Sequence, residues 1–374
     1  MPFVIYVLAL AVFAQGTSEF MLSGLLPAIA TDLRVPLSAA GTLTSAFALG
    51  MIIGAPLVAV LSMRWPRRRA LLGCQLVFVI THVLGALTDS FALLLVTRVI
   101  AALVNAGFLA VGLGTVVTLV AADVRGRATS VLISGVTVAC VAGVPLGALL
   151  GDLYGWRAAF WAVAILAAVP LPAILFAVPV TAAGAPVPGV RREIRVLPRM
   201  TVLLVLAALS NGATFCAFTY LAPVVTDVAG LSASWVPVAL ALFGVGSFLG
   251  VTVSGRFADR APWRVSTVGA VLVPVGWLGF AWTAGEPVAA IGWLPVLGTL
   301  SFAVGATLIS RALIAGEDAP TLAGGVTTAA VNVGAVLGPV LGGVALVAGY
   351  RAPLLVSAGL AVVALAVLRW SRHR

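Results

Sequence analysis

The chain has 374 residues, 62% of them hydrophobic and only 9% charged, with a formal net charge of +10. A soluble globular domain carries roughly a quarter charged residues, so this composition cannot furnish a water-facing surface. The positive balance does not mark a nucleic-acid-binding protein either, because the arginines fall in short clusters between apolar stretches rather than on one continuous surface.

Apolar stretches of about twenty residues, enough to cross a hydrocarbon core of roughly 30 Å as helices, recur along the whole chain. They predict spans at 3–26, 39–61, 70–88, 91–118, 128–150, 157–178, 200–222, 234–254, 265–284, 288–311, 321–345 and 350–369. The first lacks a basic leading segment, exceeds the usual signal-peptide core and is followed at once by further spans. It therefore reads as a transmembrane helix, not a cleaved signal. The 40 glycines and 21 prolines suit such helices, where small residues allow close approach. The expected fold is an all-α integral membrane protein of twelve transmembrane helices.

Every one of the 21 basic residues is arginine. Seventeen lie in even-numbered loops or the C-terminal tail, while odd-numbered loops carry only Arg34, Arg157 and Arg351. Short arginine-rich loops stay cytoplasmic, so both termini are expected inside a bacterial inner membrane. The longest loop, 179–199, is Pro/Gly/Ala-rich and then basic. It reads as a cytoplasmic linker between an N-terminal six-helix half (1–178) and a C-terminal one (200–374), with its basic end beside anionic lipid.

The halves echo each other at an offset of about 195 residues. LPAIATDLRVPLS (26–38) resembles LAPVVTDVAGLS (221–232), AVLSMRWPRR (59–68) aligns with GRFADRAPWR (255–264), and QGTSEF (15–20) aligns with NGATFC (211–216). GVPLGALLGDLYGWRAAF (143–160) likewise aligns with GAVLGPVLGGVALVAGYRAPL (334–354) after one small gap. A duplicated six-helix unit is a carrier arrangement, with a path between halves that rock.

Ionisable groups inside a span are costly and mark function. Glu19 in the first span and Arg98 in the fourth each lie eight residues below the outer end of their helix. At 1.5 Å per residue both are about 12 Å deep, which makes an ion pair and a proton-coupling role the expectation. Gln15 shares the face of Glu19, and Asn105 that of Arg98. Together with Asn211 and Asn332 these amides are candidates for the substrate path. Phe215 occupies the repeat position of Glu19. Gly135, Ala139, Gly143, Gly147 and Gly151, with Pro145 among them, form a flat face on the fifth span, expected where the halves meet. Cys74, Cys140 and Cys216 lie in separate apolar spans with no metal-ligand spacing, so no metal or cofactor is expected. No HExxH, paired aspartates or Ser–His arrangement points to an enzyme.

These segments resemble the major facilitator superfamily, specifically its drug:proton antiporters. The family's loop motif, Gly-x-x-x-Asp-Arg-x-Gly-Arg-Arg, is represented by AVLSMRWPRRR with Arg64 and Arg68. Its second copy is represented by Gly255, Asp259, Arg260 and Arg264, its fourth-helix arginine by Arg98, and its fifth-helix antiporter motif by GVPLG with Gly143, Pro145 and Gly147. Met63 stands where the motif has its acid, which leaves Asp259 to help close the cytoplasmic side. The opening through GTSEF, with RWPRRR and ALTDSF, is similar to actinobacterial chloramphenicol-resistance exporters. The resemblance implies proton-coupled export of a small amphipathic drug by a monomer, with protons and membrane lipid as its other partners. Export of a sugar or another small metabolite is the alternative.

Overall fold

In the computed structural model the described residues are 2–62, 65–121, 125–178, 197–257, 262–318 and 322–371. Arg64, Met63, Asp259, Arg260 and most of the 179–199 linker lie outside them, as does the side chain of Arg264.

The first half is built from α1 (Phe3–Phe20), α2 (Leu22–Asp32), α3 (Leu37–Ser62), α4 (Arg67–Leu87), α5 (Phe91–Leu119), α6 (Arg125–Val138), α7 (Val144–Tyr154), α8 (Trp156–Ala168) and α9 (Pro170–Ala177). The second comprises α10 (Leu197–Thr219), α11 (Leu221–Pro223), α12 (Trp235–Phe257), α13 (Pro262–Thr283), α14 (Pro287–Ala315), α15 (Leu322–Ala345) and α16 (Ala352–Ser371). Among the described residues, eleven stretches are long and apolar enough to cross a membrane, and Thr267–Thr283 in α13 is a shorter apolar helix at the ninth predicted span.

Several spans are segmented. The first continues through Met21 into α2 and so reaches Asp32, six residues beyond the predicted end. The fifth joins α6 to α7 through a π turn, Ala139–Gly143. A second π turn, Val224–Val228, follows α11. Large apolar side chains such as Phe176, Trp282 and Val347 point outward, as they must in a helix bundle solvated by lipid.

Each half has its own apolar core. Leu8, Phe47, Phe78, Phe108 and Phe160 belong to the first, and Leu240, Phe243, Trp277, Phe280 and Leu297 to the second. The second core also takes in Val144 and Ala148 from α7, and the first takes in Tyr220 from α10's end, so the halves interlock.

The internal repeat is visible in backbone packing. A Cβ on Gly50 or Gly54 would collide with the backbone of Val99 or Leu103 on α5. A Cβ on Gly246 or Gly250 would collide with that of Pro295 or Thr299 on α14. All four pairs of equivalents are 196 positions apart, so α3 on α5 and α12 on α14 are the same glycine-mediated crossing made twice. Gly155 (φ 84°) and Gly349 (φ 106°) repeat likewise. Each lets the chain reverse in a region closed to other L-residues, and each is followed by an aromatic residue and an arginine.

Beyond the spans, Arg157 pairs with Asp32, and with Asp89 at 2.6 Å, while Trp156 Nε1 donates to Asp32 at 3.0 Å. Arg157 and then Trp156, as hydrogen-bond donors, hold the Asp32 carboxyl below its ordinary range.

Candidate functional site

Glu19 and Arg98 do not form the expected ion pair. The Arg98 guanidinium instead donates from Nη1 to Ser18 Oγ at 2.8 Å and from Nη2 to the Ser18 carbonyl at 2.7 Å. It lies over the Phe47 ring, 4.5 Å from its centroid, and 5.9 Å from that of Phe160. Arg98 is 1% exposed. Azimuth decides against the pair. Neighbouring residues on a helix are about 100° apart, so Ser18 and Glu19 address different directions at one level. Glu19 is partly exposed and accepts no hydrogen bond from a described residue. It still interacts electrostatically with Arg98 and with Cys140.

Ser18 is also 2.6 Å from His82 Nε2, and His82 Nδ1 is 2.8 Å from the Phe78 carbonyl. Sequence reasoning passed over both residues. The available signal was a histidine within an apolar span, as unusual there as a carboxylate.

The amide nitrogens of all four are engaged within the protein, while Gln15 Oε1 is buried without a partner. Gln15 Nε2 donates to Gln75 Oε1 at 2.8 Å, and Gln75 Nε2 to the Ala167 carbonyl at 2.7 Å. Asn105 faces the Met51 sulfur at 3.6 Å, Asn211 donates to the Val331 carbonyl at 2.8 Å, and Asn332 to Thr328 one turn below. None of the four lines the central cavity described below. Away from water an amide takes whatever acceptor its own bundle offers.

The glycine face of the fifth span also differs from expectation. A Cβ on Gly135 would strike Ala9 and Phe13, one on Gly143 would strike Thr17, one on Gly147 would touch Met21 and one on Gly151 would strike Leu25. The face is therefore buried against α1 and α2 of the same half. The neighbouring stripe meets the other half: Gly244 of α12 packs on the Cys140 carbonyl, and Gly24 lies between Ala148 and Leu240. Arg68, at the start of α4, donates to the Leu175 carbonyl at 3.2 Å.

Between the halves lies a small, partly open cavity. Its walls are Phe20, Cys140 and Val144 from the first half and Thr214, Phe215, Phe218, Leu240, Phe243, Gly244, Ser247 and Phe302 from the second. The five phenyl rings form an unbroken ladder. Phe20–Phe215 centroids are 5.9 Å apart, Phe215–Phe218 6.3 Å, Phe218–Phe243 4.9 Å and Phe243–Phe302 6.2 Å. These are stacking and edge-to-face distances. Towards the Asp32 end the halves are joined by Ser45 Oγ donating to the Val336 carbonyl at 2.8 Å, and Gly41 of the first half packs against the Tyr220 ring of the second, whose Oη donates within its own half to the Pro339 carbonyl at 2.8 Å.

A chloramphenicol resistance protein of Streptomyces lividans is 54% identical over 374 residues, 98% of this chain and 95% of that protein. A chloramphenicol efflux pump of Mycobacterium tuberculosis is 32% identical over 98% of this chain and 91% of its own. In fold, a bacterial homolog of the human lysosomal transporter Spinster, solved inward-facing and unoccupied, superposes with a TM-score of 0.82 at 18% identity, covering 99% of this chain and 96% of that one. The Major Facilitator Superfamily profile matches residues 8–330. With a multi-spanning helical bundle and a glycine-mediated internal repeat beside that match, the chain belongs to the Major Facilitator Superfamily.

Proposed function

We propose that the chain exports chloramphenicol across the bacterial inner membrane in exchange for protons. The observation that carries the reading is the aromatic cavity walled by both halves, with Glu19 next to its Phe20 wall. Chloramphenicol presents a nitrophenyl ring, an amide N–H and two hydroxyls. The phenyl ladder offers stacking surface to the ring. The hydroxyl oxygens of Thr214 and Ser247, whose protons go to the Ser210 and Gly244 carbonyls, retain lone pairs for the drug's donors. A sugar would need many more hydrogen bonds than these walls provide, so the cavity favours the drug over the metabolite.

In this reading residues 1–178 and 200–374 are two halves hinged by the 179–199 linker, and a monomer suffices. The arginine-rich ends and both termini are cytoplasmic, which makes the Asp32 end periplasmic. The Ser45–Val336 bond and the packing of Tyr220 on Gly41 then close the outer side. Glu19 carries the proton, and Arg98 sets the charge opposite it.

The test is expression in a drug-sensitive host. Accumulated chloramphenicol should fall, and an uncoupler should restore it. Unchanged accumulation with the protein verified in the membrane would refute the assignment. A single-cysteine probe at Arg192 should be shielded from an impermeant reagent added outside, and one at Asp89 labelled; the reverse would overturn the orientation.

A further inference from the structure

We propose that Ser18 and His82 are positioning residues that hold the Arg98 guanidinium away from Glu19, giving Arg98 two stations, one on Ser18 and one on the carboxylate. The inference rests on the coupling role assigned to Glu19 and adds the device that regulates it.

The hydrogen bonds run in one direction only. A carbonyl oxygen only accepts, so His82 Nδ1, 2.8 Å from the Phe78 carbonyl, carries a hydrogen. A guanidinium only donates, so Ser18 Oγ accepts from Arg98 Nη1 at 2.8 Å. The Ser18 hydroxyl hydrogen is left to point at His82 Nε2, 2.6 Å away, which accepts it as the bare nitrogen of a neutral imidazole. This tautomer follows from the network around it. The chain is therefore Arg98 to Ser18 to His82 to Phe78, and it is buried throughout: Ser18 is 0% exposed and His82 and Arg98 1% each. An acceptor at the position of Nε2 is what fixes the Ser18 hydroxyl, and a fixed Ser18 hydroxyl is what presents a lone pair to Arg98.

The second station lies one residue along α1. Glu19 is already within electrostatic range of Arg98 yet has no hydrogen-bonded partner among the described residues. Arg98 Nε is likewise without a partner, so the guanidinium has a donor in reserve. The Phe47 and Phe160 rings provide an apolar sleeve around the guanidinium. They stabilise the cation while directing its donors towards α1.

Few other charges bear on His82. From α5 it faces Arg98, and from α1 it faces Ser18 with Glu19 beyond. From α8 it meets the Phe160 ring, with Arg157 tied off by Asp32 and Asp89. Helix α9 contributes no titratable residue, and on α4 itself Cys74 is two turns away.

Losing the hold frees Arg98 to pair with Glu19, and a cation beside a carboxylate favours its ionised form. Proton binding would then demand a more acidic medium. The experiment is drug-induced proton release from the purified full-length protein, with chloramphenicol as the probe, followed from pH 5 to 9. Ser18→Ala and His82→Leu should each move the midpoint about one unit towards acid. His82→Gln, whose amide oxygen supplies an acceptor near the position of Nε2 and does not titrate, should keep the wild-type midpoint. Folding is verified by monodisperse elution and by drug–drug exchange, which needs no net proton movement. An unmoved midpoint in Ser18→Ala, or a shift in His82→Gln as large as in His82→Leu, would overturn the proposal. Glu19→Gln run alongside separates the two readings. If it still releases protons, the coupling role of Glu19 is wrong; if it does not and Ser18→Ala behaves as wild type, only the hold is wrong.

Discussion

Glu19→Gln is the substitution that separates a coupling carboxylate from a structural one. The side chain accepts no hydrogen bond from a described residue, and its nearest cation is engaged by Ser18. A carboxamide of the same size therefore forfeits no named contact, and it removes an ionisable group from an apolar bundle. Stability should change by no more than about 1 kcal/mol, a shift of a few degrees in melting temperature at most. Transport should respond quite differently. For one proton exchanged per neutral drug, each 100 mV of membrane potential supplies about 2.3 kcal/mol, or roughly a 50-fold drug gradient. Inverted vesicles energised to 100 mV should concentrate chloramphenicol by about that factor with the wild-type protein. With Glu19→Gln the ratio should be about 1, while drug–drug exchange persists. Full gradient-driven accumulation by the variant would refute the reasoning. A large drop in melting temperature would also refute it, since it would reveal a structural tie that the geometry does not contain.

Arg98→Ala deletes two charge-assisted hydrogen bonds and empties a buried site beside Phe47, so abundance in fluorescence-detected size exclusion should fall, with a cost on the order of 3–5 kcal/mol. Because Arg98 is held by Ser18, adding Glu19→Gln should not restore abundance; restoration would mean that the ion pair exists after all. Phe243→Leu breaks ring contacts to Phe218 and Phe302, at about 0.5–1.5 kcal/mol each. A drug ring resting on Phe243 would lose one such pair, so chloramphenicol affinity, measured as half-saturation of exchange, should weaken by roughly 2- to 13-fold, and an unchanged value would move the drug site elsewhere. Asp32 has a lowered folded-state affinity for protons, so its contribution to stability is present above an unfolded value of 3.8 and is lost as pH falls below it. Asp32→Asn should lower the melting temperature slightly at pH 7, under ~1 kcal/mol for so exposed a pair, and the difference should shrink progressively as pH falls below 3.8.

Much of the architecture was legible because hydropathy and arginine placement are properties of one residue at a time. Eleven of the spans, the apolar helix at the ninth, the internal echo and the burial of Arg98 all follow from them. What failed needed the rotation of one helix against another. Glu19 and Arg98 share a depth, yet Ser18 is the residue that α1 turns towards α5. The amides of Gln15, Asn105, Asn211 and Asn332 were the most polar groups available in the spans, and for that reason the fold satisfied most of them internally. The glycine face of the fifth span was recognisable as a contact surface, but its composition carries no statement of which helix it meets. The phenyl ladder draws one ring from α1, two from α10 and one each from α12 and α14, segments up to 282 residues apart in sequence.

The repeat explains how one scaffold divides two tasks. The α3–α5 and α12–α14 crossings are equivalent glycine for glycine, so both halves are built on the same backbone framework. On that framework the equivalents of Ser18, Glu19 and Arg98, 196 positions on, are Thr214, Phe215 and Leu294. Thr214 bonds its own helix at Ser210, Phe215 is a rung of the ladder, and Leu294 is buried in the second core. Where the first half invests in charge, the second invests in aromatic surface. The two chemistries meet at one place, because Phe20, the first-half ring of the ladder, directly follows Glu19 on α1. In the proposed cycle, a drug seated against Phe20 and a proton bound at Glu19 would therefore act on the same turn of the same helix. That adjacency allows occupancy of one to alter the other without any long-range relay through the bundle.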